Sequence, residues 1–165
     1  DWKYCRVDVR AKLPIGKGMW PAIWMLPTDE KYGGWASSGE IDIMELVGHE
    51  PSTYHGTLHY GGGWPKNKHT GKEFKLNSGT FADKFHVFSI FWEKGKVVWG
   101  IDGKPWQTQE KWYSEKGSFP APFDQRFHLL INLAVGGRWP GNPNDKTKFP
   151  AKMLIDYIRI YQTEK

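Results

Sequence analysis

Apolar and polar positions alternate along much of this chain. In "RVDVRAKL" (6–13), "GEIDIMEL" (39–46), "HVFSIFW" (86–92), "VVWGI" (97–101), "FHLLINLAV" (127–135) and "MLIDYIRIY" (153–161) the period is two, with β-branched and aromatic side chains at the apolar positions. That is the pattern of strands that bury one face. The 3.6-residue period of an amphipathic helix is nearly missing. Turn-forming stretches fall between the runs, as "EKGK" (93–96), "IDGKP" (101–105) and "GGRWPGNPND" (136–145). Short strands punctuated by Gly and Pro predict one all-β unit, an antiparallel sandwich, with no internal repeat, low-complexity tract or linker.

One predicted strand is chemically odd. "GEIDIMEL" carries Glu40, Asp42 and Glu45 among apolar residues. On a regular strand Glu40, Asp42 and Met44 share one face, Ile41 and Ile43 the other, and Glu45 would point into the core. A buried ionised carboxylate is costly, so a one-residue bulge at Met44 is the more economical arrangement: it returns Glu45 to the face of Glu40 and Asp42 and sends Leu46 inward. Like charges held so close raise at least one pKa, which supplies a proton donor near neutral pH. Glycoside hydrolysis uses such a pair, one carboxylate attacking or activating water and the other protonating the leaving oxygen. An acidic solvated strand balanced by lysines has the same spacing, and spacing alone does not say which glutamate plays which role.

Composition sharpens this. The chain has 165 residues, 39% apolar and 16% aromatic, enough for one domain with a sizeable core. Ten tryptophans are far above ordinary usage and point to flat aromatic faces. No run approaches the ~20 apolar residues of a membrane span, and "DWKYCRVDVR" lacks the layout of a signal peptide; neither a membrane nor a nucleic-acid partner is expected. The net charge of +5 is spread over Lys66, Lys68, Lys72, Lys94, Lys96 and Lys104 in turn-like segments, which reads as a solvated surface. Cys5 is the one cysteine, either a buried free thiol or half of a bridge to another chain. His49, His55, His69, His86 and His128 show no metal-ligand spacing and receive no role.

"GEIDIMELVG" resembles the signature of glycoside hydrolase family sixteen, Glu-x-Asp-x-x-Glu on a bulged strand, and in particular its laminarinase branch. "RVDVRAKLPIGKGMWPAIWMLP" (6–27), "GTLHYGG" (56–62), "LLINLAVGGRWPGNP" (129–143) and "MLIDYIRIYQ" (153–162) are similar to further blocks of that family, in the family's order. The resemblance implies a β-jelly-roll sandwich with a concave sugar-binding sheet. It also implies a secreted, retaining endo-β-1,3-glucanase acting on polysaccharide, with no cofactor for catalysis. Carried over by position, Glu40 is the nucleophile, Glu45 the general acid/base, and Asp42 the residue that tunes the nucleophile.

Sugar rings stack on aromatic faces, so Trp35 and Trp139 are substrate-binding candidates. Trp20 and Trp24, four apart, share a face that is either cleft or core, and Trp20 joins the candidates. By resemblance Asp8 and Arg10 match hydroxyl-binding cleft positions, although many relatives carry Glu in place of Asp8. Asn132 matches a cleft-facing residue, and His59 is expected near the acid/base glutamate or else as a structural histidine. Asp156 matches a ligand of a possible structural calcium; a hydrogen-bonded strand-end carboxylate is the alternative, since no acidic cluster accompanies it. Family rivals are a lichenan, agar or carrageenan hydrolase, or a non-catalytic glucan receptor, which would normally lack one of the acids. The first block matches a mid-domain strand of the family. The expectation is therefore a catalytic domain lacking its N-terminal strands, completed by a segment that is not in this sequence, on another chain after cleavage.

Overall fold

The computed structural model describes residues 1–162. Ten strands occur among them: β1 Arg6–Lys12, β2 Met19–Pro27, β3 Glu40–Glu45, β4 Thr53–Tyr60, β5 Lys68–Lys75, β6 His86–Glu93, β7 Lys96–Ile101, β8 Lys104–Gln109, β9 Phe127–Val135 and β10 Leu154–Tyr161. They form two five-stranded sheets, ordered β10-β1-β6-β7-β8 and β5-β4-β3-β2-β9, with every pairing antiparallel. The antiparallel all-β sandwich expected from alternation, and the jelly roll that the resemblance implies, are the observed architecture, and no helix occurs among the described residues.

The two sheets meet through the inward residues that the period of two selects. Val7, Val9 and Ala11 of β1 and Phe88, Ile90 and Trp92 of β6 are buried against Ile23, Met25, Ile41 and Leu58 of the other sheet. Each Val, Leu, Ile, Met or Phe side chain so removed from water contributes ~1.5–3 kcal/mol. Trp99 of β7 is fully buried, and its indole crosses the interior to donate a hydrogen bond to the main-chain oxygen of Asp42 at 2.8 Å. Gly56 of β4 makes room for it: a Cβ there would lie 2.5 Å from the Trp99 ring. That contact satisfies a buried carbonyl exactly where the β3 ladder is broken, which few other partners could reach.

The break is the predicted bulge, displaced by one residue on the β2 side. Asp42 pairs with Thr57 and Glu45 with His55, so Ile43 and Met44 together oppose Gly56. Against β2, Met44 still pairs with Ile23, and Ile43 is the extra residue. Ile43 and Met44 are both buried, as is Leu46. The extra residue thus sits at Ile43 rather than at Met44, because this keeps both apolar side chains in the core.

Several strands escape the alternation. "TYHGTLHY" of β4 is interrupted inwardly by Gly56, "KHTGKEFK" of β5 is a nearly all-polar exposed edge, and β8 begins inside an apparent turn. Lys68 and Lys72 therefore lie on β5, Lys96 opens β7 and Lys104 opens β8, rather than in turns. Lysines along an edge strand discourage pairing with another chain. At the opposite edges, Val135 of β9 and Leu154, Ile155 and Ile158 of β10 are exposed.

Candidate active site

Strand β3 is the middle strand of its sheet, flanked by β2 and β4. With the bulge in place, Glu40, Asp42 and Glu45 face one cleft. Its larger part, of about 880 Å³, spreads toward β5 and is lined by Trp20, Trp35, Glu40, Glu45, His59 and Trp139 among others. A smaller hollow of about 240 Å³ lies toward β9, with Trp24, Asp42 and Asn132 in its lining. Trp20, Glu40 and Glu45 belong to both, so the two glutamates stand at the junction.

Each glutamate is held by an indole. Trp35 Nε1 donates to Glu40 Oε2 at 2.6 Å, and Trp20 Nε1 donates to Glu45 Oε1 at 3.1 Å. Asp42 lies between them and is 1% exposed. Its Oδ2 is 3.3 Å from His59 Nε2 without a well-directed hydrogen bond, and Glu40 Oε1 is 3.9 Å from the same nitrogen. Register explains the grouping, since His59 of β4 sits directly across from Glu40.

All three acids hold their protons to higher pH than usual. Burial, then the Asp42 charge, pushes Glu40 up to about 8, against opposing pulls from His59 and the Trp35 N–H. Burial, then the Glu45 charge, raises Asp42 well above the carboxylate range. Burial also raises Glu45, opposed by the Trp20 hydrogen bond. Asp42 is the most deeply buried of the three and lacks the N–H donor that Glu40 and Glu45 each receive. Glu40 and Asp42 lie close enough for their protonation to be linked, each acid's charge disfavouring ionisation of its neighbour.

Around the acids the structure gathers most of the candidates. Trp35 and Trp139 are 42% and 39% exposed, and Trp139 meets Trp20 edge-on at 5.4 Å between centroids. Trp24 Nε1 donates to Asn132 Oδ1 at 2.7 Å, which ties both residues to the hollow toward β9. Trp20 and Trp24 thus both face the cleft, and the core alternative is set aside.

Two candidates are misplaced. Asp8 and Arg10 lie on β1, in the opposite sheet, and face away from the interior that Val7 and Val9 fill. Asp8 takes a two-pronged ion pair from Arg6, at 2.9 and 2.7 Å, and Arg10 pairs with Asp156. Neither reaches the cleft. Alternation gives the face of a strand but not the sheet it joins. Asp156 has its carboxylate engaged by the Arg10 guanidinium. The one acid and imidazole cluster close enough to share a metal, among the described residues, is Glu40, Asp42 and His59. Cys5 is buried and free, its thiol pushed up to about 11 by burial.

The sequence reading missed His55, Thr57, His69, Gly71, Lys72 and Glu73, all of which line the cleft. His55, Thr57 and His59 alternate with Tyr54, Gly56, Leu58 and Tyr60, a period-two signal that was available in "YHGTLHY". No comparable signal exists in the polar β5.

Comparison with known proteins follows this geometry closely. Residues 1–159 match the family described as glycosyl hydrolases family 16. A glucan endo-1,3-beta-glucosidase A1 of Niallia circulans is 48% identical over 98% of this chain and 25% of its own length. A beta-1,3-glucan-binding protein of Penaeus monodon is 40% identical over 82% of this chain and 43% of its own length. The catalytic domain of an endo-1,3-beta-glucanase (laminarinase) from Thermotoga petrophila superposes with a TM-score of 0.85 at 39% identity, covering 99% of this chain and 66% of that one. The chain spans less than two thirds of the length of each of these relatives.

Proposed function

The chain belongs to glycosyl hydrolase family 16, and from that premise we propose that it cleaves β-1,3-linked glucan internally and with retention of anomeric configuration. The observation that carries this is the bulged β3, which turns Glu40, Asp42 and Glu45 to one cleft face with an indole N–H on each glutamate. Glu40 attacks the anomeric carbon and forms a glycosyl ester, while protonated Glu45 gives its proton to the departing glycosidic oxygen. Glu45, now a carboxylate, removes a proton from water, which breaks the ester and restores both groups. Asp42 stands beside Glu40 and exchanges a proton with it as its charge comes and goes. His59 faces Glu40 and Asp42, and it favours the charged form of Glu40.

Space on both sides of the glutamates supports internal cleavage, since a polymer needs room before and after the broken bond. Following product configuration during early hydrolysis of laminarin tests the reading. Retained β-anomer is expected, and an inverted product would overturn the double displacement.

Ring stacking supplies the hold on the sugar. Trp35→Ala and Trp139→Ala are each expected to weaken binding of short β-1,3-glucans by ~1–2 kcal/mol, measured by calorimetric titration. Unchanged affinity in both would remove those rings from the subsites. A binding-only role, suggested by the Penaeus monodon relative, predicts this binding without hydrolysis; all three acids and their partners are present here, which favours the enzyme.

A further inference from the structure

The cleft runs across the strands, and any chain lying in it toward β5 must leave over that edge. The height of the edge is uneven. His69, Gly71 and Glu73 are the cleft-side residues of β5, opposite His59, Thr57 and His55 of β4. Gly71 forms the low point between two larger side chains. A Cβ on it would lie 2.7 Å from Thr57 Oγ1 and 2.9 Å from the Gly56 oxygen, so no larger residue fits without moving β5.

Beyond this low point lies a second groove, of about 340 Å³, on the flank where the edge strands β5 and β8 of the two sheets approach each other. Gly71 and Lys72 line both the cleft and the groove, so the two spaces join at that saddle. Thr108, Gln109, Glu110 and Lys111 form the far wall. Gln109 closes the seam below: its Nε2 donates to the Thr70 main-chain oxygen at 2.9 Å and its Oε1 accepts from the Thr70 hydroxyl. The lining offers hydroxyl, amide, carboxylate and ammonium groups, which both give and take hydrogen bonds from sugar hydroxyls. Being an edge strand, β5 also turns alternate main-chain N–H and C=O groups outward for the same purpose.

We propose that the substrate path does not end at β5 but crosses it at Gly71 and descends into this flank groove, where further glucose units of the same glucan chain bind. The inference rests on the β-glucan reading of the cleft and adds to it a dependence on chain length. Short oligosaccharides stay within the cleft; longer ones gain the groove.

The test uses a ladder of linear β-1,3-glucan oligosaccharides. In the unaltered chain kcat/KM is expected to keep rising for lengths that outreach the cleft. Thr108→Trp fills the groove from an exposed position and is expected to lower the ratio of kcat/KM on long over short oligosaccharides about fivefold, equivalent to about 1 kcal/mol. Should that variant not fold, Lys111→Ala, which lines the groove and not the cleft, is read for the same fall. An unchanged ratio in the folded variant overturns the proposal. Absence of hydrolysis at every length in the unaltered chain overturns the enzymatic reading instead, and the groove is then judged by the same long-to-short ratio in affinity, followed by tryptophan fluorescence.

Discussion

Glu40→Ser and Glu45→Ala are each expected to lower kcat on laminarin by about 10³-fold or more while binding of the glucan stays measurable. The first variant removes the atom that forms the ester, and the second removes both the proton for the leaving oxygen and the base for the incoming water. Binding persists because stacking on Trp35, Trp20 and Trp139 does not call on either acid. The two variants should differ in one respect. Glu45→Ala leaves the nucleophile intact, so a substrate whose leaving group departs without a proton should still form the ester, and the rate-limiting step moves to its hydrolysis. Glu40→Ser should gain nothing from such a substrate. Turnover near that of the unaltered chain in either variant would dismiss the assignment.

Asp42→Asn is expected to raise stability and lower activity together. The three acids are held protonated in the folded chain, with Glu40 at about 8, whereas an unfolded chain releases the same protons near pH 4. Between those limits the folded state binds more protons than the unfolded one, so stability falls as pH rises through the window. Below it, both states are protonated and the contribution is fully present. Replacing Asp42 by its neutral isostere removes the most buried member of the set, and at pH 7–8 this is worth about 1–2 kcal/mol, or about 3–6 °C in Tm. The fall of Tm with pH should become shallower. Activity should drop by about 10²-fold, because an amide cannot exchange a proton with Glu40 as its charge comes and goes. A lower Tm across that range would mean that the carboxylate stabilises the fold and that the proton inventory is wrong.

The parts of this molecule that sequence made legible are those where burial imposes a period. Val7, Val9, Ile41 and Phe88 had to face inward, and the apolar alternation around them announced strands and a two-layer fold. The acids of β3 were legible for the converse reason, since polar residues in such a run need a physical excuse. What alternation could not supply was partnership. It placed Asp8 and Arg10 on a face of β1 without saying that β1 pairs with β10 and β6, on the far side of the molecule from Glu40. It was blind to β5, whose exposure on an edge leaves polar residues free to occur in any order. His69 was missed for that reason; His55, on β4, did carry a period-two signal but was judged by metal-ligand spacing, when the positions of both were fixed by pairing across β4 and β5.

The bulge at Ile43 gives β3 a parity that an unbroken strand cannot have. Residues on one face of a regular strand are separated by even numbers, yet Glu40 and Glu45 are five apart and share a face. The extra residue works as a phase shift, and its identity matters less than its presence. Exchanging Ile43 for another apolar residue changes packing by a methyl or two, while pulling the strand straight with Ile43 still in it rotates everything on one side by half a turn. Glu45 would then enter the core and Leu46 would leave it, whereas removing Ile43 as well cancels the shift and leaves the two glutamates four apart on one face. Within this strand the reading frame of side chains, rather than any single side chain, is what holds the two glutamates to a common task, and a change of length that leaves the bulge in place acts as a frameshift in three dimensions.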